Sequence, residues 1–211
     1  MEPWGVPMHD VDYVKPWLKC NIARKQMIES GKVTDSSRSN KPTDFLNNEI
    51  IRIFKKILPV KDGYTFKTEK QIPCSRGGTF KVDVLVYKNN NLHAAVLLKA
   101  IQKSYNKNRQ NYANTIEGEI ARIKDLPAHD GVSVITIDWI PTQVPVGKKM
   151  EVTRIPDTSK AETRWNKLLN DGSFVSFNKI RFDLAGQNPY NIEGTQKLQE
   201  AIEKLKRKNN E

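Results

Sequence analysis

Residues 79–99, Thr-Phe-Lys-Val-Asp-Val-Leu-Val-Tyr-Lys-Asn-Asn-Asn-Leu-His-Ala-Ala-Val-Leu-Leu-Lys, constrain the fold of this chain more than any other stretch. Two runs rich in β-branched and aromatic residues flank an asparagine triplet, which predicts a β-hairpin with turn-forming residues between its strands. The first strand carries Asp83 and the second closes on Lys99. If Asn89, Asn90 and Asn91 form a three-residue loop, Lys88 pairs with Leu92, Asp83 falls opposite Leu97, and Asp83 shares a face with Lys99. A two-residue loop puts the acid and the amine on opposite faces, because a one-residue slip moves every side chain across the sheet.

Around this hairpin the periodicities alternate between helix and strand. A helix is expected near residues 17–30, followed by the polar run from Thr34 to Pro42, which reads as a flexible loop able to close on a ligand. Thr43 or Asp44 can cap a helix that ends before Pro59, with Leu46, Ile50, Ile53, Phe54 and Ile57 at helical spacing. Glu49 falls on the apolar side of that helix, either as a boundary acid reaching solvent or as a buried acid needing a partner. Tyr64 to Ile72 reads as a strand, and Pro73 to Gly78 as a break. Arg109 to Ile123 looks helical, and Val132 to Ile137 is a short β-branched strand ended by Trp139-Ile140-Pro141. Phe174 to Phe182 alternates as a strand does, and Leu198, Ala201, Ile202 and Leu205 mark a closing helix. The expected fold class is α/β, a mixed central sheet flanked by helices with an αβββαβ core.

The chain has 211 residues and is 37% hydrophobic, enough for one domain spanning 1–211 with a sizeable core. Its 35 Lys and Arg against 24 Asp and Glu leave a formal charge of +11, which favours a polyanionic partner, nucleic acid first. Cys20 and Cys74 have neither zinc-site nor disulfide-scaffold spacing and fit a reducing cytoplasm. The N-terminal residues lack the order of a signal peptide, and no apolar run is long enough to span a bilayer, so a cytoplasmic protein without membrane contact is expected. His9, His93 and His129 are not spaced as a metal cluster, and no Walker or dinucleotide-binding glycine motif is present.

The element order, Asp83 on the hairpin, Lys99 closing the next strand and a helix after it together resemble the PD-(D/E)xK nuclease superfamily, over roughly residues 43–140. That resemblance implies Mg²⁺-dependent hydrolysis of phosphodiester bonds. Asp83 would ligate Mg²⁺ with a second carboxylate, and Lys99 would orient the attacking water or stabilise charge on phosphorus. The chain departs from the motif twice. Val82 stands where proline is usual, and Leu97 stands where an acid two residues before the lysine is expected. Some type II restriction endonucleases supply that acid from the helix after the lysine, where this chain carries Glu117 and Glu119. Glu119 falls at the edge of the face formed by Tyr112, Ile116, Ile120 and Ile123 and is the first choice for a metal ligand with Asp83. Glu117 is the reserve, and Glu49 has an outer role in the same catalytic group.

The segment after the lysine holds Lys103, Tyr105, Asn106, Lys107, Asn108, Arg109, Gln110, Asn111 and Asn114. Such bases, amides and an aromatic suit phosphate and base-edge contacts, and Arg38 and Arg76 join them as expected DNA contacts. The expected protein is a type II restriction enzyme acting on double-stranded DNA as a homodimer, with the N-terminal arm 1–42 and residues 142–211 adding DNA or dimer contacts. The alternatives are a repair or recombination nuclease of the same fold and a catalytically inactive DNA-binding relative.

Overall fold

The hairpin of residues 79–99 forms, and its second strand lies third in a six-stranded sheet. The computed structural model describes residues 14–31, 41–74, 77–101, 105–124, 131–146, 152–159, 162–164, 175–183 and 192–208. In chain order they form α1 (Val14–Glu29), α2 (Lys41–Ile57), β1 (Tyr64–Pro73), β2 (Thr79–Lys88), β3 (Asn91–Ala100), α3 (Tyr105–Lys124), β4 (Ser133–Pro141), β5 (Val144–Val146), β6 (Val152–Arg154), β7 (Val175–Phe182), β8 (Ile192–Glu193) and α4 (Thr195–Arg207). The sheet order is β1-β2-β3-β4-β7-β8, with β5 and β6 forming a separate pair. Strands β1 to β3 are antiparallel, β3-β4 and β4-β7 are parallel, and β7-β8 is antiparallel. The fold is thus α/β, a mixed central sheet flanked by helices. No helix among the described residues is long and apolar enough to cross a membrane.

The two sheet faces carry separate cores because adjacent strand residues point to opposite sides. On one face α1, α2 and α4 bury Trp17, Leu46, Ile50, Ile53, Phe54, Leu198 and Ile202 against Val84, Val96, Leu98, Ile137 and Trp139. On the other, α3 buries Ala113, Ile116, Ile120 and Ile123 against Leu85, Ala95, Leu97 and Val134. At about 1.5–3 kcal/mol for each fully buried side chain, the stripe of α2 outweighs Asn47 and Asn48, which cost a helix roughly 0.7 kcal/mol each. Strand β4 is buried along its whole length, as a parallel strand covered on both faces must be.

The hairpin reaches its register by a route that the sequence conceals. Its loop has two residues, since Lys88 pairs with Asn91, and Asn89 and Asn90 have φ of 48° and 68° as primed hairpin turns require. That loop alone would separate Asp83 from Lys99. However, Tyr87 pairs with Leu92 and Val86 with Ala94, so His93 is an extra residue in β3, a β-bulge. Beyond it Val84 faces Val96, the frame that a three-residue loop would give, and the paired ladder ends there, one residue short of Asp83. His93 is 9% exposed, and its Nε2 donates to the Leu205 carbonyl of α4 at 3.0 Å, which pins the bulge.

Gly194 turns the chain from β8 into α4 with φ of 89°. A Cβ there would lie 1.8 Å from the Lys179 carbonyl of β7. Gly194→Ala therefore combines left-handed strain with a backbone clash, and its expected cost is about 2 kcal/mol or more. Urea denaturation checks this, and an unchanged midpoint would contradict the close approach.

Candidate active site

Asp83 stands where β2 and β3 stop pairing regularly. The last residue pair of their ladder is Val84 with Val96, and beyond it the Leu98 N–H donates to Asp83 Oδ2 at 2.7 Å. A side-chain oxygen thus satisfies a backbone donor where the ladder ends. The alternation of β2 also breaks here. Phe80 and Val82 pack with Leu85 on the α3 side, whereas Val84 and Val86 pack on the other.

Lys99, near the end of β3, reaches toward α3. Its Nζ donates to Glu119 Oε1 at 3.1 Å, with the two side chains 23% and 15% exposed. Ile116, Ile120 and Ile123 fix the buried face of α3, and this places Glu119 on the edge nearest the lysine. Burial works against the Lys99 charge, but Glu119, Asp83 and Asp138 outweigh it and hold the amine above the ordinary lysine range. The site therefore keeps a lysine cation among three acids. Glu119 Oε2 is buried and has no hydrogen-bond partner.

Sequence reasoning missed Asp138. It lies in register between Lys99 of β3 and Lys179 of β7, is 3% exposed, and its Oδ1 has no hydrogen-bond partner. Burial raises its pKa to about 7; Lys99 and Lys179 pull it down, and Glu119 pushes it up. The signal was a lone acid in an otherwise apolar run. It was lost because the strand, read as ending at Ile137, continues to Pro141. Tyr105 is 2% exposed with its hydroxyl unpartnered, and burial first, then Asp138, raises its pKa.

The raised value fixes the sign of a pH effect. Below 3.8 both the folded and the unfolded chain carry the Asp138 proton, and between 3.8 and about 7 only the folded chain does. Stability from this group is therefore complete at low pH and falls as pH rises toward 7. Asp138→Asn removes that fall, so relative to wild type it gains stability between about pH 4 and pH 8, by an amount on the order of 4 kcal/mol. Denaturant titrations at both pH values check this; parallel curves for the two proteins would contradict it.

The other predicted residues are placed differently. Glu117 pairs with Arg164 at 2.6 Å on the far flank of α3. Glu49 pairs with Arg52 on α2, whose apolar stripe packs on the sheet face opposite α3, so it does not join the Lys99 cluster. Leu97 is core, 1% exposed. Part of the segment expected to read DNA packs against other parts of the protein. Tyr105 is buried and stacked on Tyr112, Asn106 bonds the backbone of Ile155 and Asp157, Arg109 pairs with Asp157, and Asn114 accepts from Arg164 and Gln110. Helix α3 begins at Tyr105, one turn before the expected Arg109, and presents these side chains to Ile155, Asp157 and Arg164. Lys107, Gln110 and Asn111 stay exposed, and Asn108 is half-buried. Lys103, Arg76 and Arg38 lie outside the described residues.

Among the described residues no three or more His, Cys, Asp or Glu side chains are gathered as a metal-holding group. Mg²⁺ does not need one, since it keeps several waters and takes one or two carboxylates plus substrate oxygens. The donor set suits it, with Asp83 and Glu119 both acting on Lys99 and the buried Glu119 Oε2 lacking a partner.

No protein-family model matches the chain, and no curated protein matches it. Among solved structures, SfsA of Pyrococcus furiosus in complex with Ca²⁺ overlaps it with a TM-score of 0.35 and 17% identity, over 72% of this chain and 63% of that one. The chain thus spans less than two thirds of that neighbour's length. An overlap at so low a score assigns this chain no function.

Proposed function

We propose that the chain is a Mg²⁺-dependent endonuclease of the type II restriction class that hydrolyses phosphodiester bonds of double-stranded DNA, acting as a homodimer with a PD-(D/E)xK-like site. The observation that carries this reading is the Lys99 ammonium held by Glu119 and within the field of Asp83, beside a buried and unpartnered Glu119 oxygen. Asp83 and Glu119 are the residues that would hold Mg²⁺, which when bound supplies positive charge to the phosphoryl oxygens. Lys99 keeps its proton at Nζ and offers donors that Glu119 does not use, suited to negative charge developing on phosphorus. The partly buried setting strengthens that interaction relative to water. The +11 charge supports attraction to the DNA backbone.

Incubating the purified protein with plasmid in Mg²⁺ and in EDTA tests the reading. Discrete fragments in Mg²⁺ alone are expected. A smear or structure-dependent cutting would replace restriction with a repair nuclease, a gel shift without cutting would leave a DNA-binding relative, and a protein that neither cut nor shifted DNA would overturn the proposal altogether.

A further inference from the structure

We propose that Asp138 is a positioning residue that takes over the Lys99 ammonium whenever the charge of Glu119 is engaged elsewhere, as by a bound cation. The inference deepens the reading above and rests on it for its purpose, but its test needs neither metal nor DNA.

The two states follow from counting acceptors. Lys99 has three N–H donors on one ammonium, and Glu119 Oε1 takes one of them at 3.1 Å. If the Glu119 charge is shared with a cation, the lysine loses its nearest counter-charge while remaining partly buried. A buried ammonium without a partner is strongly disfavoured. Asp83 cannot make up the whole loss, because its Oδ2 already accepts from Leu98 N–H and it serves the same cation. Asp138 is the third acid acting on Lys99 and sits beside it across the parallel β3-β4 ladder. Its Oδ1 is buried without a partner.

The neighbour on the other side does not compete for that oxygen. Lys179 is in register with Asp138 but turns to Glu162 and to the Thr158 hydroxyl. From α3, the buried Tyr105 hydroxyl and Glu119 are the remaining groups that act on Asp138. Asp138 is thus held in a charged row with an acceptor left over, next to the one cation whose partner the proposed chemistry removes. The arrangement lets Lys99 stay charged and fixed through the exchange.

Glu119→Gln reproduces the loss of the Glu119 charge without metal. The rate at which acetic anhydride modifies Lys99, read by peptide mass spectrometry, reports whether the amine is held, and Lys179 in the same digest reports whether the fold is intact. At about pH 8, where Asp138 is ionised, Lys99 in Glu119→Gln is expected to stay protected to within about twofold of wild type, since Asp138 replaces one charged acceptor with another. Glu119→Gln with Asp138→Asn should raise Lys99 modification roughly tenfold, the effect of losing one hydrogen bond to a charged group, with Lys179 unchanged. Glu119→Gln with Asp138→Glu, which keeps the carboxylate, should restore protection. If Glu119→Gln alone exposed Lys99 fully and Asp138→Asn added nothing, the inference would be overturned. Protection that follows Asp138 in a protein that never cuts plasmid would uphold the inference and sink the nuclease reading instead.

Discussion

If the chain is the proposed nuclease, Lys99→Ala is expected to lower the rate of plasmid cleavage roughly a hundred- to a thousandfold while leaving DNA affinity within about twofold, because an interaction made only in the transition state leaves binding nearly unchanged. The amine sits among Asp83, Glu119 and Asp138, which keep it charged, and its 23% exposure leaves it reachable from solvent. Lys99→Arg is a stricter probe. It keeps the charge but replaces a compact ammonium with a longer planar fork of different donor geometry, so it should recover only part of the rate. Single-turnover cleavage and gel-shift titration of the same preparations separate the two effects. A Lys99→Ala protein that cut at the wild-type rate would remove the lysine from the mechanism.

The second large effect belongs to Asp83, to whose structural role at the end of the sheet ladder the proposed function adds a chemical one. Asp83→Ala leaves the Leu98 N–H without its acceptor, and an unsatisfied part-buried donor costs about 1–3 kcal/mol. Asp83→Asn keeps an oxygen able to accept that bond, so its stability should stay within about 1 kcal/mol of wild type. Both substitutions remove the negative charge offered to Mg²⁺ and should lower cleavage at least a hundredfold, corresponding to roughly 3 kcal/mol of transition-state stabilisation. Urea denaturation beside cleavage assays distinguishes the roles. A fully active Asp83→Asn enzyme would show that the carboxylate only closes the sheet.

Much of this geometry is legible in the sequence where a single periodicity decides it. The spacing of Ile116, Ile120 and Ile123 is enough to place Glu119 at the margin of the buried helix face, and the stripe from Leu46 to Phe54 places α2. The hairpin shows the limit of such reading. Loop length and a bulge each shift the frame by one residue, so two Asn in the turn plus an extra His93 give the same register as three Asn in the turn. Nothing local distinguishes the two, because the bulge is pinned by Leu205, more than a hundred residues away.

Asp138 escaped for a similar reason. Its importance comes from Lys99 and Lys179 on neighbouring parallel strands, which only the sheet order brings beside it. The amides of Asn106 and Asn114 looked like DNA-reading groups because sequence carries no information about what they face. In the fold they bond to Ile155, Asp157 and Arg164.

In the proposed site Asp83 and Glu119 share one cation with Lys99 beside them. A crystal structure of the wild-type protein grown with Mn²⁺, with the metal located by its anomalous signal, tests it most directly. The expected result is a peak coordinated by an oxygen of Asp83 and an oxygen of Glu119, at about 2.0–2.3 Å as hard cations take carboxylates, with the Lys99 amine moved toward Asp138. A Glu119 carboxylate still paired with Lys99, and no metal reaching Asp83 directly or through a water, would contradict it.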